Sequence, residues 1–446
     1  MNCTTLIKKK KIKKARIGVS CLVLAVSLAV PGEATTLADA LIQAYQTNPR
    51  IRIGQSVLDA ANAAVSETTA SALPQISATA NASLARDFDT DDSTERDLSL
   101  RLAMNQIIFD GGQSRYALQA MQQTALSSEQ RLLAAEQAVL LDAVTAFVNV
   151  LRDQQLVTLA ASNVDVLTEE LRASNDRFEI GLLSRTDVSQ TQARLSAARA
   201  ELEIRRGALL RSREIYRSVI GSEPQDLVSP PPPPELPPDV AAAEAVAMER
   251  HPRVLEALLN MEAASATANQ MRGNWIPTLS ADISHTLRRQ STRDSTSSRL
   301  SAGLTGRATL FDSGKSRSQR QRANAVLAQR RHELQLAGAV TRQSIRIAYS
   351  NWIVANASVD AIEQQVESAQ LALEGVREEQ SLGARSTLDV LNAEQEVRNA
   401  RANLLTATRD VFVAAYTVLF EMGLLTMAHL NLGTDPAQAE PASDPG

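Results

Sequence analysis

The side chains able to do chemistry are few, and their spacing does not suit it. Both cysteines, Cys3 and Cys21, fall inside residues 1–34, read below as a removable leader. Beyond that leader no disulfide, thiolate nucleophile or cysteine-based metal centre is expected. The four histidines, His251, His285, His332 and His429, share no ligand-like spacing, and each is assigned to a surface or strand face. Gly111-Gly112 is not followed by the Gly-Lys-Ser/Thr of a phosphate loop. Lys315, directly after Gly314, reads as a solvated helix start. No nucleophile has a base beside it, so neither enzyme activity nor a cofactor is expected. What remains is a pair of matched acidic turns, Gly181 with Asp187-Val188 and Gly383 with Asp389-Val390. Both carboxylates lie in the first turn of the helix that follows, where aspartate is favoured as a cap.

The elements that would position these turns are written twice. Asn48-Pro49-Arg50 recurs as His251-Pro252-Arg253, and Leu73-Pro74-Gln75-Ile76-Ser77-Ala78 as Ile276-Pro277-Thr278-Leu279-Ser280-Ala281, both offset by 203 residues. Phe109-Asp110-Gly111-Gly112 returns as Phe311-Asp312-Ser313-Gly314, Ala146-Phe147-Val148-Asn149 as Ala348-Tyr349-Ser350-Asn351, and Gly221 as Gly423, offset by 202. Repeats in this register mean one unit duplicated: residues 35–221 and 241–423, joined by a Pro-rich linker over 222–240 and followed by a tail, 424–446. The prolines from Pro230 to Pro238 make that linker a stiff, extended spacer.

Each unit opens with a helical segment ending at Pro74 or Pro277. Two runs of period two follow. Ile76, Ala78, Ala80, Ala82 and Leu84 alternate with Gln75, Ser77, Thr79, Asn81 and Ser83; Leu98, Leu100, Leu102 and Met104 alternate with Asp97, Ser99 and Arg101. The second unit repeats the pattern, predicting strands over about 75–86, 97–109, 278–288 and 299–311 with one apolar and one polar face. Strands of this length suit a tilted bilayer crossing; the competing reading is a soluble sheet under a helical layer. The period then turns helical. Long helices are expected over about 113–180 and 315–382, each about 100 Å at 1.5 Å per residue, with return helices over about 186–220 and 387–421. A heptad row through Ala143, Val150, Val157, Val164, Leu171 and Phe178, and another through Ile345, Trp352, Val359, Val366 and Leu373, asks for coiled-coil packing. Gly181 and Gly383 end the long helices as C-terminal glycine caps.

Charge and targeting narrow the class. The formal charge of −4 sums 46 basic and 50 acidic residues. Residues 1–34 hold seven of the basic ones and one acidic, leaving 39 basic and 49 acidic, a net −10. With 3% aromatic residues, such an acidic body argues against nucleic-acid binding. Lys8 to Arg16, the apolar run Ile17 to Val30 and the small residues up to Ala34 have the order of a secretory signal peptide. No apolar run reaches the ~18–20 residues of a membrane helix. Four strands cannot close a barrel, and lipid does not tolerate an open sheet edge. If the strands cross a membrane, several copies must therefore pool them, with the helices continuing the barrel as a tube.

These residues resemble the TolC-type outer membrane efflux and secretion channels. The doubled Leu/Ile-Pro strand starts, the Phe-Asp-x-Gly junctions, the Gly-x-x-x-x-x-Asp-Val turns and the opening Thr36-Leu37-Ala38-Asp39-Ala40-Leu41 carry the likeness across the mature chain. The resemblance implies a mainly α fold with a small membrane β-part. It also implies a homotrimer whose twelve strands form one outer-membrane barrel over an α-helical periplasmic tunnel, docked on a periplasmic adaptor and an inner-membrane ABC or proton-driven pump. It places the gate at the tips. Asp389 matches an anionic-ring aspartate, Arg385 the arginine that ties the tips together, and Asp187 its first-tip partner. Gln380 stands where the family has tyrosine, and Asn392 where it has a second ring aspartate. A single Asp389 ring is therefore expected, closed by an Asp187–Arg385 contact. Ile180, Gly181, Leu182, Leu382, Gly383 and Ala384 are the expected adaptor contacts. The expected role is a passive exit duct, with type I protein secretion favoured over small-molecule efflux because the mature chain lacks a cysteine to lipidate. A periplasmic coiled-coil adaptor or a soluble scaffold is the alternative of a different class.

Overall fold

The computed structural model describes residues 35–86, 94–290 and 295–433. The signal-peptide reading lies outside them. In chain order the elements are α1 (Leu37–Thr47), α2 (Pro49–Ser71), β1 (Gln75–Arg86), β2 (Thr94–Phe109), α3 (Gln113–Glu179), α4 (Arg185–Ile220), α5 (Val240–Arg250), α6 (Pro252–Gln270), a 3-10 turn (Met271–Trp275), β3 (Thr278–Gln290), β4 (Ser295–Arg307), α7 (Lys315–Ser381) and α8 (Thr387–Glu421).

The opening segment of each unit is two helices rather than one. Asn48 and His251 are extended at their junctions, because the residue before a proline is pushed out of the helical region. Pro49 and Pro252 then start α2 and α6 at positions where the missing N–H costs nothing. Asn48 Oδ1 accepts from Arg50 N at 3.0 Å, and His251 Nδ1 from Arg253 N at 3.1 Å. His251 is therefore a buried helix cap, 5% exposed, and not the surface residue expected from sequence.

The four strands form one antiparallel sheet in the order β1-β2-β3-β4, so the two units meet at the β2–β3 ladder. Every position of β1 and of β4 is exposed. Among the described residues no helical layer covers this sheet, which removes the reading of a soluble sheet over helices. Ile76, Leu84, Leu300 and Leu304 stand bare on one face, an apolar surface too continuous for water. The other face is cross-linked by polar groups: Asn105 Nδ2 donates to Asp282 Oδ1 at 2.6 Å, and Thr305 Oγ1 to Asp282 Oδ2 at 3.0 Å. β4 ends at Arg307, short of the expected residue 311, because its partner β3 begins at Thr278 and offers nothing further to pair. β2 starts earlier than expected and runs to Phe109 because β1 and β3 flank it.

The two long helices have 67 residues each. α3 is the spine, packing on α1, α2, α4, α6 and α8, whereas α7 lies at an edge against α5, α6 and α8. α3 also holds a window of mean hydropathy 1.4, long and apolar enough to cross a membrane and half buried within the protein. That window coincides with the core: Val139, Leu140, Ala143, Val144, Phe147 and Val150 pack against Leu37, Leu41, Tyr216, Ile220 and Leu419. Both heptad rows turn towards neighbours except at Phe178, which is exposed, and only their upper members, Ala143, Val150 and Ile345, are fully buried. The segment after α8 is not a loose tail. Leu425 and Met427 enter the core, and Gln137 Nε2 donates to Gly423 O at 2.9 Å, because five apolar side chains between Leu424 and Leu432 need cover. The Pro-rich linker is extended yet pinned to the body: Tyr349 Oη donates to Pro237 O, and Leu227 and Leu236 pack on the core.

Candidate functional site: the paired helical tips

α3 and α7 stop the same way. Gly181 and Gly383 both sit at φ +77°, where a side chain would be strained. Behind them Gly181 N donates to Phe178 O (2.9 Å) and Leu182 N to Arg177 O (2.8 Å). In the second tip Gly383 N donates to Gln380 O (2.9 Å) and Ala384 N to Glu379 O (2.8 Å). These are the reversed bonds of a left-handed glycine cap. The return helices restart with identical capping boxes. Ser184 N and Oγ donate to Asp187 Oδ2 at 3.0 and 2.7 Å, and Ser386 N and Oγ to Asp389 Oδ2 at 3.0 and 2.8 Å. Both aspartates therefore cap helices, whatever else they do. The serine hydrogen bonds hold both carboxyls below the usual carboxylate range, with Arg385 adding to the effect at Asp389. Both remain anionic at neutral pH and face solvent.

The other expected site residues fall into two groups. Arg385 Nε donates to Glu379 Oε2 at 2.7 Å across the second turn. Within one protomer it is therefore not joined to Asp187, because each aspartate is held by its own cap serine and Glu379 is the nearer carboxylate. Gln380 Nε2 donates to Thr387 Oγ1 at 3.2 Å, closing the base of the same tip. Asn392 reaches the other hairpin: Arg194 of α4 donates to Asn392 Oδ1 at 2.6 Å and to Leu391 O at 3.2 Å. Beneath that bridge Leu167, Leu195, Ala198 and Leu391 form a small apolar seam. Ile180, Leu182 and Leu382 project from the tips, uncovered.

Sequence reasoning missed Arg194, Glu379 and the relay behind them. Arg377 donates to Glu394 Oε1 at 2.8 Å, and Arg398 lies 3.5 Å from the other oxygen of Glu394. Burial pushes the nearby Glu170 carboxyl up, against the pull of Arg177. The Glu394–Arg398 spacing of one turn was readable as a helix pair; the Arg194–Asn392 pair has no counterpart in the repeat register and left no signal. Among the described residues no three His, Asp or Glu side chains converge as metal ligands would.

Comparison with known proteins agrees with this architecture. Residues 40–222 and 245–422 match the outer membrane efflux protein family, one match per repeat. The chain is 30% identical to the outer membrane efflux protein BepC of Brucella suis, over 89% of this chain and 87% of that one. It is 26% identical to the outer membrane protein TolC of Escherichia coli, over 91% and 86%. The alkaline protease secretion protein AprF of Pseudomonas aeruginosa is 26% identical over 78% and 72%. In fold it is similar to CusC (TM-score 0.78, 17% identity, 86% of this chain and 91% of that one) and to the Campylobacter jejuni CmeC outer membrane channel (TM-score 0.77, 16% identity, 93% and 94%). The doubled unit and the bare four-stranded sheet are thus those of an outer-membrane channel, not an enzyme: the chain belongs to the outer membrane efflux protein family.

Proposed function

We propose that three copies of this chain pool their strands into one twelve-stranded barrel and serve as the exit duct of a tripartite export system. The observation that carries this is the sheet itself. β1 and β4 each leave an unpaired edge and an uncovered apolar face, and lipid tolerates neither an open edge nor an isolated four-stranded sheet. Closure with two further copies satisfies both edges, and the end-on helices α3, α4, α7 and α8 carry the lumen on as a periplasmic tunnel. The duct is passive: a separate inner-membrane pump, joined through a periplasmic adaptor, supplies the energy.

The tips are the gate in this reading. Repeated three times, Asp389 becomes an anionic ring at the narrowest point, with Gln380 and Asn392 in place of further gating groups. Arg385 exchanges Glu379 for Asp187 of an adjoining hairpin when the end closes. The uncovered Ile180-Gly181-Leu182 and Leu382-Gly383-Ala384 turns are the adaptor contacts. The cargo favoured is secreted protein of a type I system, supported by the likeness to AprF, an alkaline protease secretion protein. The likeness to BepC, an outer membrane efflux protein, keeps small molecules as the second reading.

Purified protein in planar bilayers tests the channel: discrete trimer-sized conductance is expected, with cation preference reduced in Asp389→Ala. No conductance at all overturns the duct; unchanged selectivity removes the ring. Deleting the gene and assaying secreted proteins against drug susceptibility separates the two cargo classes.

A further inference from the structure

An unexplained group of charges lies where the strands meet the helices. Ala268 of α6, Arg272 of the 3-10 turn, and Arg317, Arg320, Gln321 and Asn324 of α7 line a cavity of about 360 Å³. Its floor, Ala268, is buried, and its three cations are exposed. No carboxylate lines it. Among the described residues, none of the three arginines has an ion pair or hydrogen bond. The nearby Asp312 is occupied: it accepts from Gly314 N at 3.0 Å and Ser316 N at 2.8 Å, capping α7. Some arginines of the same body do find carboxylates, as in Arg131 of α3 with Glu256 of α6 (2.6 Å), and Arg342 (3.3 Å) and Arg346 (2.8 Å) of α7 with Glu244 of α5. In a chain with 49 acidic residues against 39 basic beyond the leader, three unpaired arginines around one cavity stand out. Arg317 and Arg320, three residues apart on one helix face, repel each other unless an anion joins them.

The repeat supplies a control. The corresponding positions in the first unit are Thr69, Arg115 and Leu118. The same helix pair therefore folds there with one charge, and the architecture does not require three. The position supplies the ligand. Arg272 precedes β3 by about two turns of chain, and Arg317 and Arg320 are in the first two turns of α7, directly beneath the apolar strands. Trp275 (46% exposed), Leu310 (91%) and Phe311 (84%) stand bare at the same junction. Aromatic and apolar side chains at this level sit among lipid headgroups, where phosphate is the abundant anion and arginine its natural fork-shaped partner.

We propose that Arg272, Arg317 and Arg320 form a binding site for the phosphate of an anionic phospholipid headgroup in the leaflet facing the helices, fixing the depth of the barrel. The site rests on the outer-membrane placement of the strands. The full-length protein, purified in non-ionic detergent, is titrated with phosphatidylglycerol, phosphatidylcholine or inorganic phosphate, and bound adducts are counted by native mass spectrometry. Phosphatidylglycerol is expected to bind in preference to phosphatidylcholine. Each arginine removed should weaken it about fivefold, and Arg272→Gln/Arg317→Gln/Arg320→Gln together about a hundredfold. The triple lysine variant, which keeps the charge but loses the fork, should fall between the unaltered protein and the triple glutamine variant, and Arg115→Gln should keep all of the affinity. Unchanged phosphatidylglycerol binding in the triple glutamine variant overturns the proposal. So does a variant that loses its oligomeric state instead of its lipid, which would mean that a neighbouring protomer fills the cavity. Inorganic phosphate binding as tightly as the lipid overturns the lipid source. Bilayer insertion and conductance should survive in all variants; their loss even in the unaltered protein would refute the channel rather than this site.

Discussion

Three glycines in this chain share a backbone conformation but not their surroundings, and substituting them separates two energies. Gly383 and Gly423 sit at φ +77° and +74°. A Cβ built on Gly383 meets nothing within 4 Å, and the same holds for Gly181. A Cβ on Gly423 would meet Arg250 O at 2.7 Å, His251 Cα at 2.9 Å and Arg250 C at 3.0 Å, all backbone or Cα atoms that cannot swing away. Gly383→Ala should therefore cost only the left-handed penalty of an L-residue, about 1–2 kcal/mol. Gly423→Ala adds an overpacking cost of ~1–3 kcal/mol to it. Asparagine visits the left-handed region readily, so Gly383→Asn should recover most of the tip loss, whereas Gly423→Asn should not. The assay for the tip is hydrogen exchange followed by mass spectrometry. Opening of the peptide spanning the second turn should become about 5- to 30-fold more frequent in Gly383→Ala, with the α3 core unchanged. For Gly423→Ala the readout is the thermal midpoint of the detergent-solubilised protein at one scan rate, which should fall well below that of Gly383→Ala. If asparagine at 383 is as damaging as alanine, or if Gly423→Ala is no worse than Gly383→Ala, the backbone and packing argument is wrong.

Other outcomes follow from single contacts. Arg194→Ala removes the hydrogen-bonded bridge from α4 to Asn392 and Leu391 and should loosen the paired hairpins by about 1 kcal/mol; faster exchange is expected in both tips at once, and a change in one tip alone would show that the bridge does not couple them. Gln137→Ala strips the Gly423 carbonyl of its buried donor, so a loss of about 1–3 kcal/mol in global stability is expected by denaturant titration. Asp187 and Asp389 titrate below the unfolded carboxylate value of about 3.9, so the stability they lend is complete above that value and disappears as pH falls through their folded pKa. Intrinsic-rate-corrected exchange at the tips should thus be flat from about pH 5 to 8 and rise below about pH 4, a rise that Asp187→Asn with Asp389→Asn should abolish.

How far the sequence reached is clearest at the tips. Gly181, Ser184 and Asp187, with their copies Gly383, Ser386 and Asp389, lie within six residues of one another, and each makes its bonds inside its own turn. The period-two runs and the switch to a helical period after Phe109 and Phe311 are equally local, as is the duplication that aligns them. The sequence by itself therefore determined the doubled unit, the kinds of element and how each long helix stops.

What only the tertiary structure decided are the pairings between elements far apart in the chain. That Arg194 takes Asn392, and that Leu425 and Met427 close the core over Phe147, depends on how two helical hairpins about 200 residues apart are rotated and shifted against each other. Rotation of a long helix by one residue moves a side chain by about 100°, and no short-range rule sets it. The bare faces of the sheet belong to the same class. Alternation showed that one face is apolar, but only the fold showed that nothing within the protomer covers it, which leaves lipid and other copies of the chain to do so.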